Sequence, residues 1–133
     1  MPDAAGNYNV LIIDDEPAIS NTLALIFSTR GYKTRVAYSA EQAIEVMAEW
    51  PPDLAIIDVV LPQMNGIDLA IVLKSNYPSC RLLLFSGQPT TTEIAEQAAK
   101  KGHVFEILAK PVHPSFLLDA VASLLLPDPI GNA

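Results

Sequence analysis

Four largely apolar runs in this chain end on a side chain that could do chemistry. Asp14 and Asp15 follow Val10–Ile13, Asp58 follows Leu54–Ile57, Ser86 follows Arg81–Phe85, and Lys110 follows Val104–Ala109. Singly, most have ordinary explanations: Asp15 or Glu16 as a helix cap, Ser86 as a turn serine, Lys110 as a surface lysine. Asp58 is harder to explain that way, because Leu-Ala-Ile-Ile before it and Val-Val-Leu after it crowd a charge against apolar surface. If these groups converge, the three carboxylates need a cation, and a hard ion that prefers oxygen ligands, Mg²⁺, suits them. Beside such an ion Asp58 becomes a nucleophile toward a phosphoryl group. The Ser86 hydroxyl and the Lys110 ammonium would then stabilise the remaining phosphoryl oxygens, while Gly87 leaves space and adds a backbone N–H. The product of that chemistry is an aspartyl phosphate.

Whether they converge depends on the elements that carry them. Val10–Ile13 reads as a first strand, and Pro17 opens a helix with Ile19, Leu23, Ile26 and Phe27 on one face until Gly31 breaks it. Tyr32–Tyr38 alternates loosely, with Lys33 and Arg35 to one side, as an edge strand does. Ser39 and Gln42 form a capping-box pattern for a second helix, whose predicted inner face is Ala43, Ile44, Met47 and Trp50, ended by Pro51-Pro52. Leu54–Ile57 is a third strand. Asn65 caps a third helix through Ile67, Ala70, Ile71 and Lys74, and Arg81–Phe85 is a fourth strand. Thr90 with Glu93 opens a fourth helix running to Lys101, Val104–Ala109 is strand five, and Pro114–Leu126 is a last helix with Leu117, Ala120, Val121 and Leu124 inward.

Strict strand–helix alternation requires right-handed crossovers, a five-stranded parallel sheet and helices on both faces; the expected α/β order is 2-1-3-4-5. Ligands of such sheets bind beyond the carboxyl ends of the strands, where the order reverses, here between strands one and three. Every strand flanking that crevice delivers one of the polar groups named above. The predicted layout is an N-terminal tail 1–7, one domain 8–126 and a C-terminal tail 127–133.

Composition narrows the function classes. With 133 residues, half of them hydrophobic and 17% charged, the chain has material for one core. Its 8 Lys plus Arg against 15 Asp plus Glu give a net charge of −7, which repels a phosphate backbone, so no direct nucleic-acid partner is expected. The longest apolar runs, Leu23–Phe27 and Leu69–Leu73, fall far short of the roughly 20 residues that span a bilayer, so no membrane partner is expected. Residues 1–7 have no signal-peptide character, which makes the cytoplasm the expected compartment. Cys80 is the single cysteine and is expected to be a small buried hydrophobe.

Taken together, Leu11-Ile12-Ile13-Asp14-Asp15-Glu16-Pro17, Asp58-Val59-Val60-Leu61-Pro62-Gln63-Met64-Asn65-Gly66, Ser86-Gly87 and Lys110-Pro111 resemble the response-regulator receiver domain of two-component phosphorelay systems. The resemblance covers nearly the whole chain and implies a flavodoxin-like receiver fold. It implies that Asp58 accepts a phosphoryl group from a histidine kinase or phosphotransfer protein with Mg²⁺ as cofactor, or from acetyl phosphate. Asp15 and Asp58 would bind the metal directly, Asp14 chiefly through water, and the Val60 carbonyl would complete the set. Ser86, Gly87 and Lys110 would contact the phosphoryl oxygens, and the Lys110-Pro111 peptide would be cis. Such a chain is not an enzyme acting on a separate substrate; it assists its own phosphorylation and dephosphorylation. Its output passes to a downstream protein or to an output domain beyond this sequence.

Two positions depart from the family pattern. Ile107 stands where receivers usually carry the aromatic residue of their switch, with Phe105 two residues earlier as a second candidate. Asn65 replaces the more usual aspartate before Gly66, as a helix cap permits. The expected route of the switch is therefore the segment from Ser86 to Thr92 more than strand five. Other readings fit less well. A haloacid-dehalogenase-like phosphatase needs an Asp-x-Asp pair that Asp14-Asp15-Glu16 does not provide, and an acidic first loop opposes flavin phosphate binding. A receiver-like interaction module that works without phosphorylation is the remaining alternative.

Overall fold

The computed structural model describes residues 8–86, 91–102, 105–109 and 113–125, at 91–95 and 106 for the backbone alone. Along the chain run β1 (Asn9–Ile13), α1 (Pro17–Thr29), β2 (Lys33–Ala37), α2 (Ala40–Glu49), β3 (Leu54–Asp58), α3 (Gly66–Asn76), β4 (Arg81–Ser86), α4 (Thr91–Lys100), β5 (Glu106–Ala109) and α5 (Pro114–Leu125). The strands form one parallel sheet of order β2-β1-β3-β4-β5, as the alternation predicts.

Burial follows from sheet position. β3 is buried at every residue and β1 at all but its first, so both are apolar on two faces, as central parallel strands must be. At the edge, β2 alternates: Lys33 and Arg35 are exposed, and the Arg35 guanidinium lies 5.2 Å from the centroid of the Trp50 ring. Two cores result. Leu11, Ile13, Ala55, Ile57 and Leu84 meet α2, α3 and Ala98 of α4, while Val10, Ile12, Leu54, Ile56 and Leu83 meet α1 and α5. Each fully buried leucine or isoleucine contributes roughly 1.5–3 kcal/mol.

Several boundaries and faces differ from the sequence reading. Tyr32 lies outside β2, its N–H bonded to the Phe27 carbonyl and its ring edge-on to Phe27 at 5.5 Å, so it closes α1. The Ser39 hydroxyl accepts from Gln42 N–H, but the Gln42 amide reaches back to Tyr38 N–H at 2.7 Å, one residue beyond a standard capping box. Ile44 is 41% exposed because the inner stripe of α2 is centred on Ala40, Ala43 and Met47. β5 begins at Glu106, with Phe105 just ahead of it. Thr90, Val104 and Leu126, named in the sequence reading, lie outside the described residues.

Cys80 is buried as expected, and burial next to the Asp53 carboxylate pushes its thiol up to about 12. Among the described residues no helix is long and apolar enough to cross a membrane.

Candidate functional site: an acidic cluster at the carboxyl edge of the sheet

β1 and β3 are neighbours with Ile13 level with Ile57, so the next residues, Asp14 and Asp58, emerge side by side. Asp14 N–H extends the ladder to the Ala37 carbonyl at 3.1 Å, and Asp14 Oδ1 then accepts from Glu16 N–H at 2.9 Å. That turn delivers Pro17 to the first helical position. Glu16 occupies the cap position of α1 without a side-chain cap bond, so capping is not what the acidic run supplies here.

Asp58 makes a similar turn: its Oδ1 accepts from Val60 N–H at 3.0 Å while Val59 N–H bonds to the Phe85 carbonyl. The loop then folds back on itself. Gly66 N–H reaches the Val59 carbonyl at 2.7 Å, and Asn65 caps α3 by accepting from Asp68 N–H at 2.9 Å. A Cβ at residue 66 would run into the Asp58 carbonyl oxygen and come within 2.8 Å of Val59 Cα. Glycine is therefore required by close approach of two backbone segments. Gln63, at φ 70°, carries the tight part of the loop in the left-handed region.

One carboxylate oxygen from each of Asp14, Asp15 and Asp58 lies within 4.8 Å of the others, and Asp14 and Asp58 are buried while Asp15 faces solvent. At that separation the two buried charges repel by roughly 3 kcal/mol for an effective dielectric near 20, which an interposed cation reverses. Three hard oxygen donors on rigid backbone are a donor set that suits a small divalent ion retaining several waters.

Ser86, buried, ends β4 opposite Ala109, so the topology brings it and the end of β5 to this same edge. Val60 stands in the loop, 47% exposed, at the mouth of the cluster. Gly87, Lys110 and Pro111 lie outside the described residues. Ile107 pairs with Leu84 and packs half-buried on the α2–α3 side of the sheet. Phe105 faces the same side but at the opposite end of the strand, under the Lys74 ammonium, roughly 13 Å from the level of Ser86. In the sequence Gly66 stands only as the end of the loop motif that follows Asp58; the structure adds its positioning role, which is the close approach of its backbone to Asp58 and Val59.

The response regulator receiver domain pattern matches residues 10–122, and the chain belongs to that family, the receiving module of two-component signalling. A putative NtrX-like response regulator of Rickettsia bellii is 35% identical over 105 residues, covering 77% of this chain and 22% of that protein. A CheY-like receiver domain protein from Methanospirillum hungatei superposes with TM-score 0.81 at 25% identity, over 89% of this chain and 93% of that one. The TrrA response regulator of Thermotoga maritima, solved in complex with Mg²⁺ and BeF, shares the fold at TM-score 0.76 and 23% identity, over 89% and 99% of the two chains. The chain spans between 22% and 50% of the length of the first two curated relatives it matches.

Proposed function

We propose that Asp58 is the phosphoacceptor of a phosphorelay and that its phosphorylation changes the binding of a partner. The observation that carries this reading is the gathering of Asp14, Asp15 and Asp58 at one edge of the sheet, with Asp58 held by Val60 N–H and by the backbone contact at Gly66. A carboxylate oxygen of Asp58 attacks the phosphorus of a phosphohistidine on a histidine kinase or phosphotransfer protein. The P–N bond breaks with its electron pair going to the imidazole, and an acyl phosphate forms. Water later attacks the phosphorus, releasing inorganic phosphate and restoring the carboxylate. Asp15, Asp58 and the Val60 carbonyl would hold Mg²⁺ directly and Asp14 chiefly through water, and the ion would offset the charge on the phosphoryl oxygens. Ser86, Gly87 and Lys110 would contact those oxygens. The chain in this reading is a phosphoacceptor that assists its own turnover in the cytoplasm, and its output goes to a downstream protein or an attached domain. Family membership and the short span relative to its relatives support that division of labour.

Intact-mass analysis after acetyl phosphate and Mg²⁺ tests this reading. One acid-labile phosphoryl group, lost with EDTA and in Asp58→Asn, is the expected result. Equal labelling of Asp58→Asn rejects the acceptor, and no labelling of the wild type favours an interaction module that works without phosphorylation.

A further inference from the structure

A second concave site lies at the opposite, N-terminal edge of the sheet. The cleft, about 400 Å³, is bounded by Lys74 in the last turn of α3, Arg81 and Leu82 at the start of β4, Phe105 before β5, Leu124 near the end of α5, and buried Cys80. That volume is within the roughly 300–1,000 Å³ of small-molecule sites. Ser86 lies at the far end of β4, five residues on and roughly 17 Å away, so this cleft is no part of the acidic cluster.

Its chemistry is amphipathic. Leu82, Phe105 and Leu124 are half-buried and give the cleft an apolar wall. Lys74 and Arg81 are exposed, and neither has a carboxylate partner among the described residues. The Lys74 ammonium stands 5.6 Å from the centroid of the Phe105 ring, which holds a full positive charge at the mouth. In a chain of net charge −7, Lys74 and Arg81 set two cations against this apolar wall. The ends of α3 and α5 bring partial negative charge, about half a unit each and confined to the last turn, which two full charges outweigh. Asp53 lies near Cys80, but its Oδ2 accepts from Asn9 N–H at 2.7 Å.

We propose that this cleft binds a small organic anion with an apolar body, of the arylalkyl carboxylate class, its carboxylate between Lys74 and Arg81 and its body against Leu82, Phe105 and Leu124. A bare inorganic anion leaves the wall unused, and a neutral apolar molecule leaves both cations unused. The inference stands independently of the phosphoacceptor reading.

The probe is 4-phenylbutyrate, titrated into ¹⁵N-labelled protein with 4-phenylbutanol as the neutral match. Saturable shifts are expected at Arg81–Leu83, Phe105–Ile107 and Leu124–Leu125, with the acid bound about three- to tenfold tighter than the alcohol, the scale of two solvent-exposed ion pairs. Lys74→Gln with Arg81→Gln should erase that preference while the remaining amide spectrum stays dispersed, and Asp58→Asn should bind as the wild type does. Equal affinity for acid and alcohol overturns the proposal. So do shifts that never saturate, and so does undiminished binding by the double variant.

Discussion

Gly66→Ala tests whether the loop after β3 is what aims Asp58. The added methyl would meet the Asp58 carbonyl oxygen and lie 2.8 Å from Val59 Cα. Both are backbone atoms, so no rotamer change relieves the contact and the loop must move away from α3. Overpacking of this kind costs roughly 1–3 kcal/mol. A 133-residue chain falls between the size classes for which 1 kcal/mol is worth about 4–8 °C and about 2–4 °C, so Tm should fall by roughly 4–12 °C. The same movement displaces the Asp58 carboxylate, and a shift near 1 Å can cost roughly a hundredfold in rate. Gly102→Ala is the control. Its φ is +92° with open space around the site of a Cβ, so it pays only the left-handed penalty of about 1–2 kcal/mol, remote from the cluster. Thermal melts and acetyl phosphate labelling, followed by intact mass, should separate the two variants. Gly66→Ala should lose both stability and labelling rate, whereas Gly102→Ala should lose stability alone. Wild-type labelling by folded Gly66→Ala would refute the reasoning.

Three further outcomes follow from the same geometry. Mg²⁺ should raise Tm, by the equivalent of about 2.7 kcal/mol at a hundredfold excess over Kd, and Asp15→Asn should remove most of the increment; an unchanged response in that variant argues against ligation by Asp15. Burial, with the Asp53 carboxylate beside it, raises the Cys80 thiol from its ordinary 9.0 to about 12, so the stability linked to its proton is complete below pH 9 and is lost as pH rises toward 12. Denaturant titrations of Cys80→Ala should show a flatter decline across that window, and an identical slope would mean the thiol is not the titrating group. Beryllofluoride with Mg²⁺ should change amide exchange from Ser86 into the start of α4 more than at Glu106–Ala109, because Ile107 is branched, stiff and already packed on the α2–α3 core; the reverse distribution contradicts it.

Most of the architecture was legible because local and global signals agreed. β3 reads as an unbroken apolar run and is buried at every position; β2 reads as half-wet and lies at the edge. Asn65 and Ser39 announced their helices, and both cap them. The misses lie where tertiary contact decides. Ile44 falls on an ideal apolar stripe, but the centre of α2 is set by what fits against β1 and β2. Tyr32 carries strand propensity yet packs edge-on against Phe27 to finish α1. Phe105 could not be placed by alternation alone; the register puts it at the far end of β5 from Ser86, which separates it from the acidic edge. The structural role of Gly66, which the sequence shows only as part of a motif, and the Lys74–Arg81 cleft, which it does not show, share one cause. One depends on two backbone segments touching, the other on residues drawn from separate elements, and neither leaves a periodic trace in the chain.

The acidic cluster owes its accuracy to the core beneath it. Val10 and Ile12 form a row on β1 facing α1 and α5, and Leu54 and Ile56 form the matching row on β3, paired residue for residue. Asp14 and Asp58 are the next members of those two rows. Shifting β3 by one residue would turn Leu54 and Ile56 to the other face, and Asp58 would leave its neighbour. Such a slip also exchanges one tightly filled apolar layer for another of different shape on both sides of a strand with no exposed face, so packing excludes it. The paired rows thus set the two like charges level with each other, and the loop from Val60 to Gly66 then fixes Asp58 in place. What keeps them together is the burial of the residues two and four positions before them, and a divalent cation placed between the carboxylates would offset their repulsion.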